Sequence, residues 1–97
     1  MFKVNEYFEG KVTSLAFETQ EGKATIGVIA AGEYEFGTST VEYMTVTSGT
    51  MEVMQANETA WKTYKEFETF MVPANSKFKM KVVEDTAYRC LYRLRKA

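Results

Sequence analysis

Between residues 77 and 82 three lysines, Lys77, Lys79 and Lys81, alternate with Phe78, Met80 and Val82. On a helix these six side chains would scatter around the axis. On a strand they divide into one wet face and one buried face. The same period of two recurs where Glu33 and Glu35 alternate with Tyr34 and Phe36, and where Arg89 and Arg93 alternate with Tyr88, Cys90, Tyr92 and Leu94. Turn residues fall between such runs at Gln20-Glu21-Gly22, Ala31-Gly32, Ser48-Gly49, Ala56-Asn57-Glu58-Thr59, Pro73-Ala74-Asn75-Ser76 and Glu84-Asp85-Thr86. The pattern predicts strands over residues 12–18, 23–31, 33–36, 42–47, 50–55, 61–64, 68–72, 77–83 and 87–94. The run 24–31 is apolar on both faces, which predicts a central strand. Only 62–67 offers a weak helix candidate. So many short strands imply an all-β fold that closes on itself or hides its edges: a jelly roll or small β-barrel, or a pairing of edges in a dimer.

Ninety-seven residues predict a single domain over 1–97. A hydrophobic fraction of 45% excludes a disordered chain. Twelve basic residues against thirteen acidic ones argue against nucleic-acid binding. The chain has no His and one Cys, which removes His-based catalytic pairs, His-ligated metals and any internal disulfide. Carboxylates, hydroxyls, phenols, Lys, Arg and backbone dipoles remain for chemistry. The polar start Met1-Phe2-Lys3-Val4-Asn5-Glu6 does not read as a signal peptide, and the apolar run 26–31 is too short to span a bilayer. With a free Cys, these features predict a cytoplasmic protein with no membrane role. On that reading the sequon Asn57-Glu58-Thr59 is chance.

Two stretches carry a resemblance. Gly37-Thr38-Ser39-Thr40-Val41-Glu42 leads to Gly49 with a Glu-x6-Gly spacing, and Phe70-Met71-Val72-Pro73-Ala74-Asn75-Ser76-Lys77-Phe78 places a Pro turn between two strands. These resemble the two cupin motifs. Gly49 suits a tight hairpin with positive φ, and Pro73 presets a turn. Positions near Phe36, Thr38 and Phe78 stand where metal-binding cupins carry His, so a metal site of that kind is not expected. Asn5-Glu6-Tyr7-Phe8, Gly32-Glu33-Tyr34, Glu42-x-Met44-Thr45-Val46-x-Ser48-Gly49, Trp61-x-x-Tyr64, Val72-Pro73 and Tyr88-x-Cys90-x-Tyr92 occur in order. Over nearly the whole chain this is similar to the small pyrimidine/purine nucleoside phosphorylase family of bacterial cupins. The resemblance implies phosphate-dependent cleavage of nucleosides to free base and pentose 1-phosphate. It also implies a homodimer that uses no metal or other cofactor, with phosphate as co-substrate.

The residues are compatible with that chemistry. Phosphorolysis passes through an oxocarbenium-like sugar, and positioning with electrostatics can supply much of the catalysis. Glu42 shares a strand face with Met44 and Val46, so burial is expected to raise its pKa. It could then serve as a neutral acid, or as an anion holding ribose hydroxyls. Tyr34, Phe36, Phe78, Tyr88 and Tyr92 are candidates for stacking a base, which tolerates purines and pyrimidines alike. Most of these aromatics also fit a plain core. Thr38, Ser39, Thr40, Thr45 and Ser76 are candidate phosphate donors. Arg89, Arg93 and Lys77–Lys81 read as solvated surface, although in a dimer an Arg could reach a neighbouring site. Trp61 and Tyr64 suit an interface or a lid, and Cys90 a small core residue. Two other readings are a non-catalytic small-molecule-binding cupin module and a protein-interaction domain working through an edge strand.

Overall fold

The computed structural model describes residues 1–93, so the predicted strand end at Leu94 lies outside the described residues. Ten strands follow one another: β1 (Lys3–Tyr7), β2 (Val12–Thr19), β3 (Gly22–Ile29), β4 (Gly32–Gly37), β5 (Val41–Ser48), β6 (Met51–Gln55), β7 (Lys62–Tyr64), β8 (Thr69–Val72), β9 (Lys77–Val82) and β10 (Thr86–Arg93). All pairings are antiparallel. One sheet has the order β1-β2-β3-β10-β5-β8, the other β4-β9-β6-β7. The all-β, cupin-like expectation holds, in the form of a two-sheet jelly roll. Among the described residues no ladder joins the sheets into a continuous barrel.

The alternation read from the sequence sets which side faces in. Phe78, Met80 and Val82 of β9 are buried, as are Met44 and Val46 of β5 and Tyr88 and Cys90 of β10. Each large apolar side chain so buried contributes about 1.5–3 kcal/mol relative to exposure. The strand β3 lies inside its sheet between β2 and β10, as expected. Its two apolar faces are not both covered, because Ile26 and Val28 remain 42% and 53% exposed while Ile29 is buried.

Three local expectations change. Residues 62–67 form no helix: β7 ends at Tyr64, and Phe67 takes a left-handed φ of 72° that no helix continues through. The Phe67 N–H donates to Val46 O at 2.6 Å, tying this turn to β5. Gly49 has the positive φ expected, 92°, but its turn carries the chain from one sheet to the other rather than closing a hairpin. The strand β1 was not anticipated. Among the described residues it is an edge strand paired only with β2, and Lys3–Tyr7 shows no burial alternation to betray it.

Candidate active site

The sheets leave a cavity of about 510 Å³ between them, lined by residues from both. Glu42, the second residue of β5, contributes a half-buried carboxylate, with Tyr92 of β10 beside it in register on one flank and Val72 of β8 on the other. Phe36 and Phe78 face each other from the paired strands β4 and β9, with ring centroids 5.6 Å apart. Tyr88 lines the sheet opposite them. Its ring lies over Gly27, its register partner on β3, so closely that a Cβ there would sit 2.5 Å from the phenol carbon. The missing side chain at Gly27 is what gives Tyr88 this position.

The end of β1 and the turn after it add Tyr7 and Phe8 to the cavity lining. Phe8 and Glu9 have φ of 54° and 59°, followed by Gly10 at 88°. For residues with a Cβ this region costs about 1–2 kcal/mol each. The turn is held by Gly10 N–H donating to Tyr7 O at 3.1 Å and Lys11 N–H donating to Phe8 O at 3.2 Å. It brings the Phe8 ring to 5.0 Å from Tyr34 and 5.7 Å from Phe36. Favourable aromatic pairing at these separations offsets part of the strain.

Of the residues expected at the site, Glu42, Phe36, Phe78, Tyr88 and Tyr92 line this cavity together. Six others do not: Ser39 and Thr40 line a separate hollow, and Tyr34, Thr38, Thr45 and Ser76 are placed elsewhere. Tyr34 is buried behind Phe8 and Phe36, its hydroxyl donating to Ala30 O at 2.7 Å. Thr38 binds the turn after β8: its hydroxyl donates to Pro73 O at 2.6 Å and accepts from Ser76 N–H at 3.0 Å. Ser76 belongs to that same turn. Thr45 lies on the outer face, 2.7 Å from the Thr69 hydroxyl. Sequence reasoning missed Tyr7, Phe8, Ser14 and the exposed Glu35 as lining residues. The aromatic pair directly before Glu9-Gly10 was the available signal for the first two.

Burial raises the Glu42 pKa, and a hydrogen bond from the Cys90 thiol to Oε1, at 3.5 Å, partly counteracts the rise. Its Oε2 has no hydrogen-bond partner among the described residues. Burial pushes the Tyr88 phenol up to about 12. It pushes Tyr92 and Cys90 up as well, with nearby acidic groups adding to the effect. Tyr92 also shares a 3.1 Å hydrogen bond with the Thr25 hydroxyl. The phenols and the thiol are therefore neutral hydrogen-bonding groups around one carboxyl. Among the described residues no group of three or more Cys, Asp or Glu could hold a metal ion.

The fold and cavity define a small cupin-like protein with an aromatic slot and a single half-buried carboxyl. Related proteins agree with that class. The sequence profile of the pyrimidine/purine nucleoside phosphorylase family matches residues 2–92, and the chain belongs to that family. A pyrimidine/purine nucleoside phosphorylase of Pseudomonas fluorescens is 60% identical over 93 residues, covering 96% of this chain and 99% of that protein. One from Pseudomonas aeruginosa is 57% identical, covering 96% and 100%. A crystal structure of a Vibrio parahaemolyticus protein of unknown function superposes with a TM-score of 0.90 at 42% identity, covering 93% of this chain and 96% of that one. A putative ethanolamine utilization protein of Salmonella typhimurium shares the fold, with a TM-score of 0.74 at 12% identity over 99% and 96% of the two chains.

Proposed function

We propose that the cavity between the sheets cleaves purine and pyrimidine nucleosides with inorganic phosphate, giving free base and pentose 1-phosphate. The observation that carries this is Glu42, half-buried among the aromatic residues of the cavity, in a chain whose relatives over nearly full length are named for that reaction. The base stacks among Phe36, Phe78 and Phe8. A slot built from rings rather than dedicated edge contacts accepts bases of different size. Glu42 uses its unpaired Oε2 to hold ribose hydroxyls, and its negative charge opposes the positive charge that develops at the anomeric carbon. The neutral phenols of Tyr88 and Tyr92 supply further hydrogen bonds.

The reading extends to an enzyme that needs no metal or other cofactor, acts in the cytoplasm and has no nucleic-acid partner. The free Cys90 suits a reducing compartment. Among the described residues no helix is long and apolar enough to cross a membrane. It extends also to a homodimer. Leu15, Ile26, Val28, Tyr43 and Met71 are each at least 38% exposed on the outer face of the six-stranded sheet, an apolar surface suited to a second copy.

The decisive assay incubates the protein with uridine, inosine or adenosine, with and without phosphate and with EDTA. Base release that requires phosphate and survives EDTA is expected. No release from any nucleoside would refute the enzyme reading. A light-scattering mass of one chain would refute the dimer.

A further inference from the structure

The cavity leaves phosphate without a counter-charge. Among the described residues its charged lining is Glu35 and Glu42, both acidic, with no Lys or Arg. An inorganic phosphate placed there would lose its hydration next to negative charge, which is strongly unfavourable. The cation must come from elsewhere, within reach of the sugar.

A second hollow of about 630 Å³ meets this need. It forms where β10 ends, β3 begins and the loop between β4 and β5 crosses, and it is lined by Lys23, Arg93, Ser39, Thr40 and Glu21. Tyr92 lines both this hollow and the cavity, and its register partner is Glu42. Among the described residues its lining holds two cations, two aliphatic hydroxyls and one carboxylate. Arg93 is partly engaged: its guanidinium nitrogen lies 3.6 Å from Glu21 Oε1 and its Cζ 5.5 Å from the Tyr43 ring centroid, while its Nε has no hydrogen-bond partner among the described residues. A guanidinium with unused planar donors is suited to a phosphate oxyanion.

We propose that the hollow between Lys23 and Arg93 is the phosphate subsite, with Tyr92 as the wall it shares with the nucleoside cavity. This rests on the nucleoside phosphorylase reading above and requires the two hollows to meet at Tyr92, where phosphate reaches the sugar. The sugar lies at Tyr92, with the base toward Phe36 and Phe78 and phosphate on the cationic side. A phosphate oxygen forms the new bond to the anomeric carbon while the glycosidic carbon–nitrogen bond breaks. Its electron pair leaves with the base, and the proton of hydrogen phosphate passes to that base. Separation of the anion from Glu42 lets one site use both a carboxylate and a phosphate. It assigns Ser39 and Thr40 as hydroxyl donors beside the cations.

The test measures KM for phosphate and for nucleoside separately in Lys23→Met, Arg93→Gln and a Lys79→Met control on the four-stranded sheet. In parallel, 31P NMR titration measures binding of inorganic phosphate alone, and thermal melts check folding. Loss of a charge-assisted contact should raise the phosphate KM at least about tenfold in the first two variants, with the nucleoside KM within about twofold of wild type. Phosphate KM values equal to that of the control would overturn the subsite while leaving the enzyme reading intact. If the wild type releases no base, the reaction assignment fails, and NMR decides the subsite alone. Phosphate binding lost in both variants supports it, and no binding to the wild type overturns it.

Discussion

Gly27→Ala tests whether the cavity wall depends on an absent side chain. Gly27 is buried and its φ is not positive, so the backbone there accepts alanine. The obstacle is Tyr88, whose Cζ, hydroxyl and Cε1 lie 2.5–2.6 Å from the site of the new Cβ. Ordinary contact begins near 3.4 Å, so the ring must shift by about 1 Å, and overpacking of this kind costs about 1–3 kcal/mol. Alanine restricts the unfolded chain and returns about 0.4–1 kcal/mol. A net loss of about 1 kcal/mol is expected, which lowers the melting temperature by about 4–8 °C in a domain of this size. The displaced phenol should also impair positioning at the site, where an error of about 1 Å can cost on the order of 100-fold in rate. Differential scanning fluorimetry and steady-state phosphorolysis read the two effects. In a Tyr88→Leu background the same Gly27→Ala change should be neutral or stabilising, because the clash is gone. An unchanged melting temperature and unchanged kinetics in the single variant would refute the account of this wall.

Glu42→Gln should lose on the order of 100-fold in turnover, as expected when a charge that stabilises the transition state is removed. With the carboxylate as the working form, kcat/KM of the wild type should rise with pH through a limb above the ordinary carboxylate range, and the Gln variant should lack that limb. Stability should move the other way. A carboxyl with a raised folded pKa stabilises the fold fully below its unfolded value of 4.5 and loses that contribution as pH rises through the folded value. The Gln variant should therefore melt at or above the wild type at neutral pH, and a clear fall would contradict the desolvation argument. Thr38→Val removes the hydroxyl partner of the Ser76 N–H and Pro73 O, so thermal melts should show a loss of about 0.5–1.5 kcal/mol. Its nucleoside KM, measured below the melting range, should stay near wild type.

The legible part of the fold was the part with a contrast between faces. The run from Lys77 to Val82 could be read directly, because each lysine is followed by a side chain that only the interior accommodates. The strand β1 has no such contrast and is defined by its partner β2, which local sequence does not reveal. The direction of the turn at Gly49 was equally hidden, since positive φ serves a hairpin and a crossover alike. At the site, Glu42 was legible from its apolar strand-mates Met44 and Val46. Thr38 was not, because its partners Pro73 and Ser76 are 35 and 38 residues away. Arg93 stands at a strand end beside the loop between β4 and β5, where alternation along the strand does not tell what its side chain meets.

Cys90 is fully buried, hydrogen-bonded to Glu42, and its thiol is held protonated well beyond the usual range. Alkylating reagents attack the thiolate, so the folded molecule offers them neither access nor the reactive form. The chain therefore carries its own clock. Because it has one cysteine, each labelled molecule records a single event, the opening of the interior. With reagent scarce and reclosure fast, the labelling rate follows the population of open molecules. With reagent in excess it reaches a ceiling set by the opening rate itself. Ligands that seat in the cavity should slow this clock in proportion to how fully they occupy it, giving a binding measurement that needs no turnover.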